Sequence, residues 1–207
     1  MKPKYDSIKR AVDLTVAGVG LIASLPLQAG LALAIRQKLG SPVLFRQVRP
    51  GLHGKPFTMV KFRSMANVDE SRGLVTDEKR LTPFGKALRA TSLDELPTLW
   101  NVVKGDMSLV GPRPLLMEYL ERYTSEQTRR HEVRPGITGL AQVSGRNEVP
   151  WEERFLLDVA YVDSRSGTLD LQILWRTFAQ VVRRKGISAN GEATMRKFEG
   201  TTGGQGS

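Results

Sequence analysis

The chain has 207 residues, with 31 Lys and Arg against 21 Asp and Glu, a net charge of +10. An anionic partner is therefore expected: nucleic acid, anionic lipid headgroups or a phosphorylated substrate. The absence of cysteine excludes disulfides and Cys-ligated metals. The length fits one compact domain plus an attachment element.

The first element is apolar. Residues 14–35 carry no charge, and at about 1.5 Å per residue such a run matches a hydrocarbon core of roughly 30 Å. It lacks a convincing small-x-small cleavage site, so a cleavable signal peptide is not expected. Pro26 sits near its middle, two residues after Ser24. An interior proline removes a backbone hydrogen bond at a cost of about 3 kcal/mol. In lipid the freed carbonyl still needs a donor, which Ser24 or Gln28 could supply. Lys2, Lys4, Lys9 and Arg10 precede the run, and Arg36, Lys38, Arg46 and Arg49 follow it. The positive-inside tendency would hold both flanks on the cytoplasmic side. A re-entrant helix broken near Ser24 and Pro26 satisfies both signals. A kinked span and a buried core helix are the alternatives, and Gly18, Gly20 and Gly30 suit the core helix poorly.

Residues 43–48 and 56–65 read as strands joined by a turn at Gly51-Leu52-His53-Gly54. Residues 66–82 read as a polar surface loop, either a solvated connector or a mobile flap. Residues 93–103 read as a short helix, and 115–133 as helical with a break near Thr124-Ser125. Residues 136–145 are Gly-rich and read as extended. Apolar residues recur at helical spacing in 151–161 (Trp151, Phe155, Leu156, Val159) and in 171–182 (Leu171, Leu174, Trp175, Phe178, Val181, Val182). These faces suit core packing or an amphipathic helix in a membrane interface. Residues 200–207 form a Gly/Thr/Ser tail expected to be disordered. His53 and His131 form no ligand pattern and read as surface or turn residues.

The chemistry concentrates between residues 92 and 114. Ser92-Leu93-Asp94-Glu95 fits a capping box. Pro97 favours a helix start near Leu96 instead, which would leave Asp94 and Glu95 exposed on the preceding turn. There a carboxylate can attack phosphorus or hold Mg²⁺. Asp106, after Gly105, is either a turn residue or a support for the metal or nucleophile. Arg113 lies between Pro112 and Pro114, in a stiff segment that suits a phosphate clamp or a surface salt bridge. Lys61 and Arg63 alternate on one strand and share a face, suiting a polyphosphate or a half-exposed edge. Gln142 and Arg146 lie in a glycine-containing loop that lets a ligand approach the backbone. No Walker A or dinucleotide fingerprint is present.

These motifs resemble the bacterial sugar transferases called monotopic phosphoglycosyl transferases, and in particular their small, PglC-like members. The resemblance runs from about residue 9 to 200. It is carried by Ser41-Pro42-Val43-Leu44-Phe45-Arg46-Gln47-Val48-Arg49-Pro50-Gly51, Lys61-Phe62-Arg63-Ser64-Met65, Thr91-Ser92-Leu93-Asp94-Glu95-Leu96-Pro97, residues 104–114, and Arg134-Pro135-Gly136-Ile137-Thr138-Gly139-Leu140-Ala141-Gln142. It implies an α/β fold, mostly helical with a small β-hairpin or sheet. A re-entrant membrane helix (1–40) would precede a catalytic domain (41–199) with interfacial amphipathic helices. It implies transfer of a sugar phosphate from a UDP-sugar to polyprenyl phosphate, with UMP leaving.

By the same resemblance, Asp94 is the nucleophile that forms an aspartyl phosphosugar, Glu95 helps to hold Mg²⁺ and Arg113 contacts phosphate. The implied setting is the cytoplasmic face of a bacterial inner membrane, with a homodimer allowed. Two departures stand out. Leu25 separates Ser24 from Pro26 where the family often has Ser-Pro, and Glu192 replaces a common His in Gly191-Glu192-Ala193-Thr194-Met195. The block from Gly186 to Phe198 hints at an N-acetylated amino sugar.

Two other readings fit the charge. A basic, non-catalytic membrane scaffold leaves the cluster from Asp94 to Arg113 unexplained. A nucleic-acid binder would want a basic stripe with interleaved aromatics, whereas the cations here are dispersed among acids.

Overall fold

A computed structural model describes residues 3–145, 149–183 and 197–200. Two helices lead: α1 (Pro3–Ala23) and α2 (Leu25–Leu39). They meet at Ser24 with a bend of 59°. Pro26 falls in the first turn of α2, where an N–H has no partner within the helix and its loss costs least. Ser24 Oγ donates to Gly20 O at 2.7 Å, with Leu21 O at 3.2 Å, and accepts from Gln28 Nε2 at 2.9 Å. Both side chains thus bond at the break, but to the Gly20 and Leu21 carbonyls and to each other, not to the Ile22 carbonyl that Pro26 leaves free. No single helix among the described residues is long and apolar enough to cross a membrane; the bent pair passes that test together.

Both outer ends of the pair are fastened to the same body. On α1, Tyr5 and Lys9 donate to Asp170 at 2.7 and 2.6 Å, and Arg165 pairs with Asp6 at 2.9 Å. Arg10 donates to the carbonyls of Val102 and Val103 at 2.7 and 3.0 Å. Buried Asp13 accepts from Ser108 Oγ at 2.7 Å and from Leu109 N at 3.2 Å. At the far end, the Arg63 guanidinium donates to Leu39 O and, at 3.0 Å, to Ser41 O. The stretch between is apolar and open: Val16, Val19, Ile22, Leu25, Leu27 and Leu33 are exposed.

Strands β1 (Leu44–Pro50) and β2 (Pro56–Phe62) pair antiparallel, with Leu44 opposite Phe62 and Pro50 opposite Pro56. Exposed His53, at φ 55°, makes the left-handed step of the turn between them. The polar loop that follows contains a short helix, α3 (Asp77–Arg80). Helix α4 (Pro83–Ala90) is N-capped by Thr82, whose Oγ1 accepts from Gly85 N at 3.1 Å. A Cβ on Gly85 would lie 1.8 Å from Ser64 O, so only glycine lets α4 approach the end of β2 this closely.

The segment expected as one helix over 93–103 is a 3-10 turn (Leu93–Thr98) followed by α5 (Leu99–Lys104). Buried Asn101 of α5 replaces a strand partner for β2: it accepts from Val60 N at 3.0 Å and donates to Thr58 O at 2.7 Å.

Strand β3 (Ser108–Val110) pairs parallel with β4 (Gly136–Thr138). Between them lie a 3-10 turn (Met117–Arg122), α6 (Ser125–Thr128) and a second 3-10 turn (Arg129–Glu132). The expected break falls at Thr124, which forms a capping box with Gln127. Residues 136–145, expected to be extended, split into β4 and a helix, α7 (Leu140–Gly145). Helices α8 (Trp151–Ser164) and α9 (Gly167–Arg183) follow.

One core joins α1, α5, β3 and the last helices through Ala17, Val102, Met107, Val110, Tyr161 and Ile173. A second joins α2 to α4 through Ile35, Leu39, Phe62 and Leu88. On α8, Phe155 and Val159 are buried as a core face requires, while Leu156 is exposed. On α9, Leu171, Trp175, Phe178 and Val182 all face outward. The expected tail at 200–207 lies outside the described residues beyond Gly200, as does the Gly191–Met195 block.

Candidate active site

The site is built on the 3-10 turn after α4. In a 3-10 turn, residues three apart share a face. Leu93 and Leu96 therefore point together into the core of Ile35, Leu39, Phe62 and Leu88. Asp94 and Pro97 are likewise three apart, and both are buried. Thr98 fixes the turn to β2 by donating Oγ1 to Val60 O at 2.9 Å. Ser92 enters the turn left-handed, at φ 55°, and its side chain makes no cap. No capping box forms. The expectation that both acids would be exposed is corrected for Asp94, which is only 5% exposed.

Burial, and next the neighbouring Glu95 charge, push the Asp94 carboxyl up to about 6. Lys61, Arg89 and Arg113 oppose the shift by favouring the anion. Asp94 therefore ionises near neutrality among three cations, in a setting that solvates it poorly.

Glu95 is held by Arg113 Nη2 at 3.1 Å. The Glu95 carboxylate in turn strengthens protonation of Arg113. Burial lowers the Lys61 ammonium, and the Arg113 charge adds to that. Arg113 is also fixed from behind. Its backbone carbonyl accepts from Arg130 Nη2 at 2.8 Å, and Arg130 is itself paired with Asp158 at 2.7 Å. Both Arg130 and Asp158 are buried.

Lys61, Asp94, Glu95 and Arg113 thus lie within reach of one another's charges. The sequence reading missed Arg89, which sits on the last turn of α4 and donates Nε to Ser64 Oγ at 2.8 Å. His131, expected at the surface, is buried, and burial depresses it to about 4.

Three other expected residues are occupied elsewhere. Buried Arg63 lies past the end of β2 and spends its guanidinium on Leu39 O, Ser41 O and Asn67 Oδ1. Gln142 donates to Ile137 O at 2.9 Å, at the corner between β4 and α7. Asp106 accepts from Asn101 at 3.1 Å and Lys104 at 3.0 Å. Arg146 lies outside the described residues.

Among the described residues no group of three or more His, Cys, Asp or Glu side chains is placed to hold a metal ion. The Asp94–Glu95 pair still suits Mg²⁺, which commonly takes one or two carboxylates and completes its shell with water and substrate phosphate.

The family model for bacterial sugar transferases matches residues 4–184. An uncharacterized sugar transferase, EpsL, of Bacillus subtilis is 53% identical over 195 residues, covering 94% of this chain and 96% of that protein. A UDP-glucose:undecaprenyl-phosphate glucose-1-phosphate transferase of Klebsiella pneumoniae is 42% identical over 82% of this chain. An undecaprenyl-phosphate galactose phosphotransferase of Salmonella typhimurium is 39% identical over 86% of it. The match covers only 39% and 41% of these two longer relatives.

Proposed function

We propose that this chain, which belongs to the bacterial sugar transferase family, moves a sugar 1-phosphate from a UDP-sugar to polyprenyl phosphate and so initiates assembly of a glycoconjugate. The observation that carries the reading is buried Asp94, raised to about 6 beside Glu95 and under the charges of Lys61, Arg89 and Arg113. A structural carboxylate is normally stabilised as the anion by its neighbours; a raised one amid cations fits a nucleophile. The names of the Klebsiella and Salmonella relatives support the acceptor class.

The chemistry follows in two displacements. An Asp94 oxygen attacks the phosphorus that carries the sugar. The bond from that phosphorus to the UMP oxygen breaks, and UMP leaves. An oxygen of polyprenyl phosphate then attacks the same phosphorus, and the bond to Asp94 breaks. Arg113 and Lys61 take the charge that builds on the phosphoryl oxygens. Glu95 holds Arg113 in place for this. Mg²⁺ held by Glu95 would neutralise the diphosphate of the donor; Asp106, engaged by Asn101 and Lys104, is not placed to join it. One pocket serving two dissimilar substrates in turn predicts ping-pong kinetics.

Membrane attachment belongs to the same proposal. Because α1 and α2 both return to one body, the bent pair suits shallow entry from one face rather than a crossing. The exposed Leu171, Trp175, Phe178 and Val182 of α9 suit the interface beside it. The attachment face is the cytoplasmic side of the inner membrane. For the donor, an N-acetylated amino sugar is the first candidate, from the sequence between Gly186 and Phe198.

The test is UMP release by detergent-solubilised protein from a panel of UDP-sugars, with Mg²⁺ and polyprenyl phosphate, beside Asp94→Asn. Release that requires Asp94 supports the transferase. A folded protein whose release is untouched by Asp94→Asn rules out Asp94 as nucleophile. No release from any donor favours a non-catalytic membrane scaffold.

A further inference from the structure

Glu95 and Arg113 hold each other, and Arg89 is held by Ser64. The ammonium of half-buried Lys61 makes no hydrogen bond or ion pair among the described residues. It lies instead 5.7 Å from the centroid of the Phe45 ring. The hairpin register is the cause. Phe45 stands directly opposite Lys61, and opposite residues of an antiparallel pair point to the same face.

Phe45 is not there for the core. The adjacent pair, Leu44 and Phe62, turns to the other face and packs with Ile35, Leu39 and Leu88. Phe45 is 39% exposed and joins no hydrophobic cluster among the described residues. A phenyl ring left in solvent gives up much of the benefit of burial. What it keeps is the negative face of its quadrupole, and Lys61 lies over that face.

The hairpin also sets where the ammonium stands. Val60, the residue before Lys61, accepts from Thr98 Oγ1 at 2.9 Å and donates to Asn101 Oδ1 at 3.0 Å. The turn that carries Asp94 and Glu95 is therefore pinned along β2 at the level of Lys61. Of the charges that favour the Asp94 anion, Lys61 acts most strongly, ahead of Arg89 and Arg113.

A free lysine loses rotamer freedom when it grips a phosphate. A ring that already holds the ammonium reduces that loss and leaves all three N–H donors open. A carboxylate in the same place would hold the lysine too, but would neutralise it and repel the phosphate. We propose that Phe45 is a positioning residue: its ring holds the Lys61 ammonium beside the Asp94–Glu95 turn, ready for the phosphoryl oxygens of the donor diphosphate. For that ligand the inference rests on the proposed function.

The experiment titrates UDP, with Mg²⁺, into detergent-solubilised full chain. Wild type is set beside Phe45→Leu, Phe45→Tyr, Lys61→Met and the double variant of Phe45→Leu with Lys61→Met. We expect Phe45→Leu to raise the Kd of UDP about fivefold, and Phe45→Tyr, which keeps the ring, to stay within about twofold of wild type. In the Lys61→Met background, Phe45→Leu should add less than about twofold. Equal losses in both backgrounds would mean that the ring acts without Lys61, and would overturn the proposal. Wild-type binding by folded Phe45→Leu would do the same. Melting temperatures are compared in parallel, and Phe45→Met replaces Phe45→Leu if the latter does not fold.

A second readout needs no ligand. Lysines are reductively methylated with ¹³C, and Lys61→Met identifies the Lys61 signal. The Phe45 ring current should move that signal upfield in wild type, and Phe45→Leu should abolish the shift. A Lys61 signal identical in the two proteins overturns the contact. UMP release by wild type is measured separately. Release without any effect of Phe45→Leu on UDP binding removes this inference and leaves the proposed function. An upfield Lys61 signal in a protein that neither binds UDP nor releases UMP removes the donor, and with it the ligand of this inference, while the contact stands.

Discussion

Arg113 Nη2 donates to Glu95 Oε1 at 3.1 Å, and this contact ties the Pro-Arg-Pro segment to the turn that carries Asp94. Glu95 and Arg113 lie 18 positions apart in the chain. The bond therefore orients the proposed phosphate-gripping group relative to the proposed nucleophile, not merely two surface charges.

The first prediction concerns that bond. Arg113→Lys keeps the charge but loses the planar fork that can serve Glu95 and a phosphate together. We expect kcat/KM for the UDP-sugar to fall by about 10- to 100-fold, or about 1.4 to 2.7 kcal/mol, with melting within a few degrees of wild type. The check is initial-rate kinetics with the donor varied. A wild-type kcat/KM would remove Arg113 from the phosphate-binding set.

The legible parts of the sequence were those with local causes. Pro26 with Ser24 marked a break that the structure places at Ser24. Gly51 to Gly54 marked the hairpin turn, and Thr124 marked the interruption in the helical segment. The reading failed where tertiary contacts decide. The Ser92 capping box lost because Ser92 is left-handed and the next residues form a 3-10 turn wedged between α2 and β2. Arg63 looked like a partner of Lys61 by strand alternation, yet the strand ends at Phe62 and Arg63 turns to the end of α2. Arg89 reaches the site by way of the close contact at Gly85, which no local pattern discloses.

Arg63 carries the second prediction. Its guanidinium satisfies Leu39 O at the end of α2 and, together with Asn67 Nδ2 at 3.3 Å, Ser41 O just beyond it. Arg63→Gln is expected to cost about 2 to 3 kcal/mol of stability, the usual worth of charged hydrogen bonds at a buried site. The donor KM should stay within about twofold of wild type, because the structure spends this side chain on the helix end. Thermal melting and donor titration together decide it. A tenfold rise in KM at unchanged melting would return Arg63 to the substrate.

Asp13 carries the third. It is buried just before the apolar stretch of α1 and accepts from Ser108 Oγ and Leu109 N, at the start of the strand that leads to Arg113. Asp13→Ala leaves the buried Leu109 N–H without an acceptor, at about 1 to 3 kcal/mol, while Ser108 Oγ keeps Val110 O at 2.9 Å. For a chain of this size, melting should drop by about 2 to 4 °C per kcal/mol. An unchanged melting temperature in detergent would show that α1 is not fastened to the body through Asp13.

The fourth prediction follows from the Asp94 carboxyl, which the fold raises to about 6. An unfolded aspartate titrates near 3.9, so the folded state binds this proton more tightly than the unfolded one. The sign is then fixed. The contribution of Asp94 to stability is fully present below about pH 4 and is lost as pH rises through about 6. Above that, the ionised carboxylate weighs against folding by about 1 to 3 kcal/mol, one pKa unit being about 1.4 kcal/mol. Asp94→Asn, neutral and of the same shape, should therefore melt several degrees above wild type at pH 7.5 and within about one degree of it at pH 4. The same substitution removes the proposed nucleophile, so the more stable protein should release no UMP. In wild type, kcat/KM should fall on the acid side with a midpoint near pH 6, because attack on phosphorus requires the ionised form. Calorimetry at the two pH values separates this from a purely structural aspartate. If Asp94→Asn melts below wild type at pH 7.5, then Lys61, Arg89 and Arg113 outweigh burial, and Asp94 is an anion the fold prefers rather than one held ready to react.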